Sequence, residues 1–335
     1  MINVSVIGVG YWGPNLIRNF VSNPHTHITK CSDLKEERLK YIRNIYPSLE
    51  TTTDYKKVIN DPGIDLIAIC TPVFSHYEIA KAALEAGKHV LIEKPMTSTS
   101  QQGEDLLNIA KQKNLRVFVD HTFLFTGAVQ KIKELIDTGE VGTLMYFDSV
   151  RVNLGLFQHD VNVIWDLAPH DISIMHYLLE GKPECVVATG ADHLGDGLED
   201  VAYLTVYYSD SLIAHIHTNW LSPVKIRQTL IAGDKKMVVW DDNQPSEKVR
   251  IYDKGIEVIK TDDEIYKTLI QYRTGDMYCP KLNNVEALNA EVDHLVDCLE
   301  NNKPSIIDGE AGQMVVRILE ASEKSIKLRG KEIPV

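Results

Sequence analysis

Short apolar runs alternate with amphipathic stretches over roughly the first third of the chain. Residues 2–7, 27–32, 65–70, 89–93 and 116–119 have the length of buried strands. Between them, residues 15–21, 36–44, 76–86 and 101–113 carry apolar positions at helical spacing. In the third of these helices Ile79, Ala83 and Leu84 fall on one side, and Gly87 stops it. A repeated β-α-β order predicts a parallel, doubly wound α/β sheet.

After about His121 the pattern changes. A helix over 129–137 precedes a strand over 144–153 and a helix near 166–179. Alternating runs then follow at 185–191, 201–208, 212–220, 226–232, 237–240 and 249–252, separated by Gly-Asp, Ser-Asp and Gly-Asp-Lys turns. Consecutive strands with short turns imply an antiparallel sheet. Leu212, Ala214 and Ile216 are apolar with polar residues opposite, the pattern of a sheet covered by helices on one face. The other face is open for subunit contact. Helices over 285–300 and 310–328 close the chain. The expected architecture is a doubly wound parallel sheet over 1–121 and a C-terminal α+β domain over 122–335 with a large, mainly antiparallel open sheet. Without a Gly/Ser linker, the two domains are expected to sit tightly together, with a cleft at the carboxyl ends of the parallel strands.

The first strand runs into Gly8-Val-Gly10-Tyr11-Trp12-Gly13, a Gly-x-Gly-x-x-Gly loop that opens a helix. Gly8 permits the tight turn, Gly10 lets the backbone approach a pyrophosphate, and Gly13 lets the helix pack close to the sheet. The unpaired N–H groups at the helix start then face the phosphates. The second strand ends at Asp33, twenty residues past Gly13. A carboxylate there can hydrogen-bond ribose hydroxyls and repels a 2′-phosphate, so this Rossmann-type unit is expected to take NAD in preference to NADP.

Composition narrows the class. The chain of 335 residues is 44% hydrophobic and 24% charged, which is ordinary for a globular protein of about two domains. Its formal charge of −12, without a long basic run, argues against nucleic acid or an anionic membrane as partner. Cys31, Cys70, Cys185, Cys279 and Cys298 are scattered, without a Cys-x-x-Cys pair, as expected for reduced thiols. No apolar run is long enough for a membrane span and no signal peptide is evident, so a cytoplasmic location is the expectation.

Two constellations could carry chemistry. Glu93-Lys94-Pro95 stands at the carboxyl end of a parallel strand, where a doubly wound fold places its ligand. A lysine there could stabilise the alkoxide formed on hydride loss, or it could be a surface lysine capping the strand. In Trp165-Asp-Leu-Ala-Pro-His170-Asp171, Asp166 and His170 are four apart and share a helical face. A carboxylate beside an imidazole fixes its tautomer and raises its basicity, as a general base requires. The structural alternative makes Asp166 a helix cap, with Pro169 in the first turn and His170 packed. Metal ligation is not expected: His215 and His217 lack a third ligand nearby, and His25, His27, His159 and His193 are isolated.

Taken together, these residues are similar to the glucose–fructose oxidoreductase / inositol dehydrogenase (Gfo/Idh/MocA) family. The likeness rests on the glycine loop, on Thr71-Pro72 with His76, on Gly87 to Pro95, and on Asp166 with His170, in that order along the whole chain. It implies an NAD(P)-dependent dehydrogenase acting on CH–OH groups, with Lys94, Asp166 and His170 at the catalytic positions. It also implies a cofactor site of Gly8, Gly10, Tyr11, Trp12, Gly13, Asp33, Thr71, Pro72, His76, Glu93 and Lys94, and a homodimer or homotetramer. Ile164-Trp165 precede Asp166 where many members carry glycines. The stretch 160–170, Trp220-Leu-Ser-Pro and Tyr272-Arg-Thr-Gly-Asp276 resemble a subgroup associated with nucleotide sugars. His121, Arg151, Asn153, Asn162, Trp165, Tyr272 and Arg273 are the substrate-binding candidates. The expected substrate is a sugar, in the first place a nucleotide sugar such as a UDP-sugar oxidised at C3. Inositol or free-sugar dehydrogenation and a non-catalytic dinucleotide-binding protein are the alternatives.

Overall fold

The computed structural model describes residues 1–155, 160–209, 211–259 and 269–335, with side chains of 256–272 left aside, so His159 and the side chain of Tyr272 lie outside the described residues. The chain falls into two compact units: Met1–Phe125 with Val285–Glu320, and Thr126–Asn284 with Ala321–Val335.

In the first unit, β1 (Ile2–Ile7), α1 (Gly13–Ser22), β2 (Thr26–Ser32), α2 (Glu36–Ile45), β3 (Glu50–Thr52), α3 (Tyr55–Ile59), β4 (Leu66–Ile69), α4 (His76–Glu85), β5 (His89–Glu93), α5 (Ser100–Lys113) and β6 (Val117–Asp120) alternate. The six strands are parallel in the order β3-β2-β1-β4-β5-β6, so the strand order reverses between β1 and β4. Val4, Val6, Leu66, Ile67, Ile69 and Ile92 are inaccessible to solvent, as strands covered on both faces must be.

The second unit holds α6 (Gly127–Asp137), β7 (Leu144–Leu154), α7 (Val163–Leu178), β8 (Cys185–Ala191), β9 (Val201–Tyr207), β10 (Ile213–Asn219), β11 (Leu221–Gly233), β12 (Met237–Asp241), β13 (Val249–Ile259) and β14 (Leu269–Tyr278). Two helices follow in the chain, α8 (Ala287–Glu300) and α9 (Gly309–Lys327), and then β15 (Ile333–Pro334). The nine-stranded sheet runs β14-β13-β12-β11-β7-β10-β9-β8-β15. Every pairing is antiparallel except β7 with β10. Along β9 and β10 the residues alternate as expected. Ala202, Leu204, Val206, Ala214 and Ile216 are buried, while Tyr203 and Ile213 are exposed.

The sequence reading differs from the structure in several places. Helix α8 and most of α9 cluster with the first unit, so a single boundary after residue 121 does not describe the chain's return. The cause is long-range: Leu288, Val292 and Leu295 of α8 are buried, and Val119 on β6 donates to the carbonyl of Ile307 at 2.9 Å. Residues 272–276, read as a recognition loop, form part of edge strand β14, paired to β13. Strand β11 begins five residues earlier than expected, with a register shift between Leu221 and Ile226. Among the described residues no helix is long and apolar enough to cross a membrane.

Candidate active site

The carboxyl edge of the parallel sheet gathers the residues of the first unit. Gly8 follows β1 with φ +93°, and a Cβ there would stand 2.6 Å from the carbonyl oxygen of Cys70 at the end of β4. A Cβ on Gly13 would stand 2.1 Å from the Gly8 carbonyl oxygen, so α1 starts directly against the loop. Helix α1 has Trp12 at its N-cap, no side-chain cap and no acid in its first turn. Pro14 carries no N–H and the Asn15 N–H donates to the Trp12 carbonyl at 2.9 Å, so what the helix start offers an anion is chiefly its positive end. Beside Gly10 the nearest group is the Arg38 guanidinium, 3.4 Å from where a Cβ would be. Loop and helix thus form a cradle that fits a dinucleotide pyrophosphate.

Asp33 is buried at the end of β2 and is already engaged. Its Oδ2 accepts from the Val9 N–H at 2.9 Å, its Oδ1 from the Lys35 N–H at 2.8 Å, and Arg38 approaches Oδ2 at 3.3 Å. It therefore braces the glycine loop, and its charge is shared with an arginine. Tyr11 is almost wholly exposed, and Pro72 is exposed. Thr71 is half-buried, its hydroxyl accepting from Ser75 at 2.8 Å. His76 is 1% exposed, with Nδ1 3.0 Å from the Pro95 carbonyl and Nε2 2.7 Å from that of Thr71. Read from sequence as a cofactor residue, it lies between the loop after β4 and the loop after β5, and its one N–H, when neutral, can donate to one of the two carbonyls. Burial lowers its pKa below the usual histidine range.

Glu93 and Lys94 are half-buried at the end of β5; the Lys94 backbone N–H donates to Glu93 Oε2 at 2.5 Å, and the Lys94–Pro95 peptide is cis. His121 is buried immediately after β6. Beside it lies a group that sequence reasoning missed. Asp120, the last residue of β6, accepts from the Trp12 indole N–H at 2.5 Å. Its other oxygen meets the Thr122 hydroxyl, which also contacts Glu291 Oε2 of α8 at 2.8 Å. Both acids are buried. Burial first, and then the charge of Asp120, raises Glu291 well above the carboxylate range; burial also raises Asp120.

In the second unit, Asp166 and His170 lie one turn apart on α7, both half-buried. The cap is Asn162, whose Oδ1 accepts from the Trp165 N–H at 3.2 Å. Pro169 is the seventh residue of the helix and cannot donate to the Trp165 carbonyl. The alternative with Asp166 as cap is thereby excluded. Trp220, at the end of β10, donates from its indole to Asp166 Oδ2 at 3.1 Å.

Three substrate candidates turn out to be internal braces of α7. Arg151 on β7 is 4% exposed and grips Asp171 of α7 with two hydrogen bonds, 2.6 and 3.1 Å. Asn162 is buried and donates to Glu199 at 2.8 Å besides capping. Trp165 is buried, its indole reaching Glu323 at 3.2 Å. Arg273 pairs with Asp253 at 3.2 Å on the β13–β14 edge. That edge is four strand steps from β7, roughly 19 Å at the usual spacing, so Arg273 is not brought to α7. Asn153, near the end of β7, stays half-buried. Among the described residues no group of three or more His, Cys, Asp or Glu could hold a metal ion.

Both units resemble known proteins. Residues 2–121 match the model of an oxidoreductase family with an NAD-binding Rossmann fold, and residues 129–239 that of the GFO/IDH/MocA C-terminal domain. The scyllo-inositol 2-dehydrogenase (NADP(+)) IolW of Bacillus subtilis is 25% identical over 97% of this chain and 95% of its own. The solved UDP-N-acetylglucosamine 3-dehydrogenase GnnA of Acidithiobacillus ferrooxidans is similar in fold, with TM-score 0.81, 21% identity and 98% of both chains covered. Levoglucosan dehydrogenase, solved in complex with NADH, has TM-score 0.84 at 18% identity, covering 100% of this chain and 99% of its own. The chain belongs to the GFO/IDH/MocA oxidoreductases and is a dehydrogenase with an NAD-binding Rossmann domain.

Proposed function

We propose that this dehydrogenase oxidises a secondary hydroxyl on a sugar, or reduces the matching ketone, and that its substrate is a nucleotide sugar oxidised at C3. Lys94, Asp166 and His170 carry the chemistry. His170, oriented by Asp166, takes the hydroxyl proton; Lys94 stabilises the developing alkoxide or relays that proton. NAD bound on the glycine loop supplies the hydride acceptor. The observation that carries the reading is the support of α7. Asp166 is held by Trp220, and the helix beneath it is pinned by the buried Arg151–Asp171 pair. A base one turn along such a helix is preorganised rather than mobile.

The test is NADH absorbance with UDP-N-acetylglucosamine, other UDP-sugars, myo-inositol and glucose side by side. Turnover of myo-inositol or glucose and none of a UDP-sugar would replace the substrate proposed here. Lys94→Ala and His170→Ala should each lower kcat by about 10²–10⁴-fold, with NAD still bound. Near-full activity in both variants would remove the mechanism. Arg38 beside Asp33 is a specific reason to run each substrate with NADP as well, since an arginine there can meet a 2′-phosphate. The open face of the second unit's sheet, where Tyr203 stacks on His217 at 4.3 Å, is our candidate for subunit contact in a homodimer or homotetramer.

A further inference from the structure

The Thr122 hydroxyl carries one proton, yet its oxygen is within hydrogen-bonding distance of two buried carboxyls. It can donate to one of them only; the contact with the other requires a proton on that carboxyl. The two acids have unequal surroundings. Asp120 accepts from the Trp12 indole and from Thr122, as a charged carboxylate favours. Glu291 leaves Oε1 without a partner among the described residues. That is far cheaper for the carbonyl oxygen of a neutral acid than for half of a carboxylate. Cys70 and Glu93, from the ends of β4 and β5, also act on the pair electrostatically. Both would add negative charge if ionised.

The pair also has a mechanical position. Trp12 belongs to the loop after β1, whereas Asp120 ends β6, three strands away in the sheet. Their hydrogen bond ties the dinucleotide loop across the carboxyl edge, about 14 Å by strand spacing. Glu291 anchors the far end to α8. We propose that Asp120 and Glu291 form a single acid pair holding one shared proton, with Glu291 neutral, and that this pair positions Trp12 so that the glycine loop holds the cofactor. Both are positioning residues; the cofactor half of the proposal rests on the dinucleotide reading of the loop.

Two measurements test it. Infrared difference spectra at neutral pH compare the wild-type chain with Glu291→Gln. Wild type should show the carbonyl stretch of a protonated carboxylic acid, shifted in heavy water, and Glu291→Gln should lack it. An unchanged spectrum overturns the shared proton. Calorimetric NAD titration supplies the second readout. Glu291→Gln, a neutral isostere, should bind within about twofold of wild type, while Trp12→Phe and Asp120→Ala weaken binding about tenfold or more, the size of one lost charge-assisted hydrogen bond. Equal damage from Glu291→Gln and Glu291→Ala would overturn the neutral-acid assignment. Wild-type affinity in Trp12→Phe and Asp120→Ala would overturn the positioning role. A wild-type chain that binds no NAD would instead sink the dinucleotide reading, a result distinct from either.

Discussion

Asp171→Ala should be among the most damaging single substitutions in the second unit, and the structure says by how much. Arg151 and Asp171 are 4% and 3% exposed. Removing the carboxylate leaves a buried guanidinium without its bidentate partner, and breaking a buried pair this way costs about 3–5 kcal/mol. Two further facts place the loss near the top of that range. Ser149, which donates to Asp171 at 2.8 Å, loses an acceptor. Arg227 stands directly opposite Arg151 across the β7–β11 pairing, so two guanidiniums then face each other. The converse change, Arg151→Met, should cost less, because Arg227 remains within electrostatic reach of Asp171. The double variant Arg151→Met/Asp171→Leu removes both charges and should recover to within about 1 kcal/mol of wild type or exceed it. Urea unfolding followed by circular dichroism measures all three. A loss below about 1 kcal/mol for Asp171→Ala, or Arg151→Met costing at least as much as Asp171→Ala, would refute the reasoning.

Gly13→Ala sets a Cβ 2.1 Å from a backbone oxygen that cannot move aside; NAD affinity should fall by more than about tenfold, read by calorimetry. Arg38→Ala removes the cation beside Asp33, and the ratio of kcat/KM for NADP to that for NAD should fall about tenfold, the worth of one charge contact to a phosphate. The Glu291 carboxyl is raised above its ordinary 4.5 in the folded chain. The stability it contributes is therefore full below that ordinary value and declines as pH rises from it toward the raised one. The Tm of Glu291→Gln relative to wild type should climb over that pH range; a flat difference refutes the sign.

Much of the first unit is written locally and could be read without a structure. Five of the six strands of its sheet and the glycine loop follow from runs of apolar residues and from one spacing of glycines. Strand β3 is three residues long, too short for any alternation to register. In β14 the Arg-Thr-Gly-Asp segment carries turn-forming residues, and its strand state comes from pairing with β13 rather than from its own composition. Site residues follow the same division. Lys94, Asp166 and His170 could be proposed from sequence because each belongs to a short motif. The internal partners of Arg151, Asn162 and Trp165 could not be read from sequence because they lie elsewhere in the chain: Asp171 on the next helix, Glu199 on a loop and Glu323 on α9. Glu291 was invisible for the same reason. Its partner Asp120 is 171 residues away, and only folding puts the two on one hydroxyl.

The places where local rules fail also share a pattern. Pro169 sits in the second turn of α7 and deprives the Trp165 carbonyl of its helical donor, a defect of about 3 kcal/mol in an isolated helix. The helix nonetheless persists, because its flanks are fixed from outside. Asn162 caps it, Glu323 holds Trp165, Trp220 holds Asp166, and Arg151 with Ser149 holds Asp171. All of these anchors act within the ten residues from 162 to 171, at four positions, more than a helix needs merely to remain folded. They bracket the side chains of Asp166 and His170. A segment whose own propensity is poor but whose position is set by so many distant groups is specified for geometry rather than for stability. That is why the buried Arg151–Asp171 pair belongs in the account of the candidate active site.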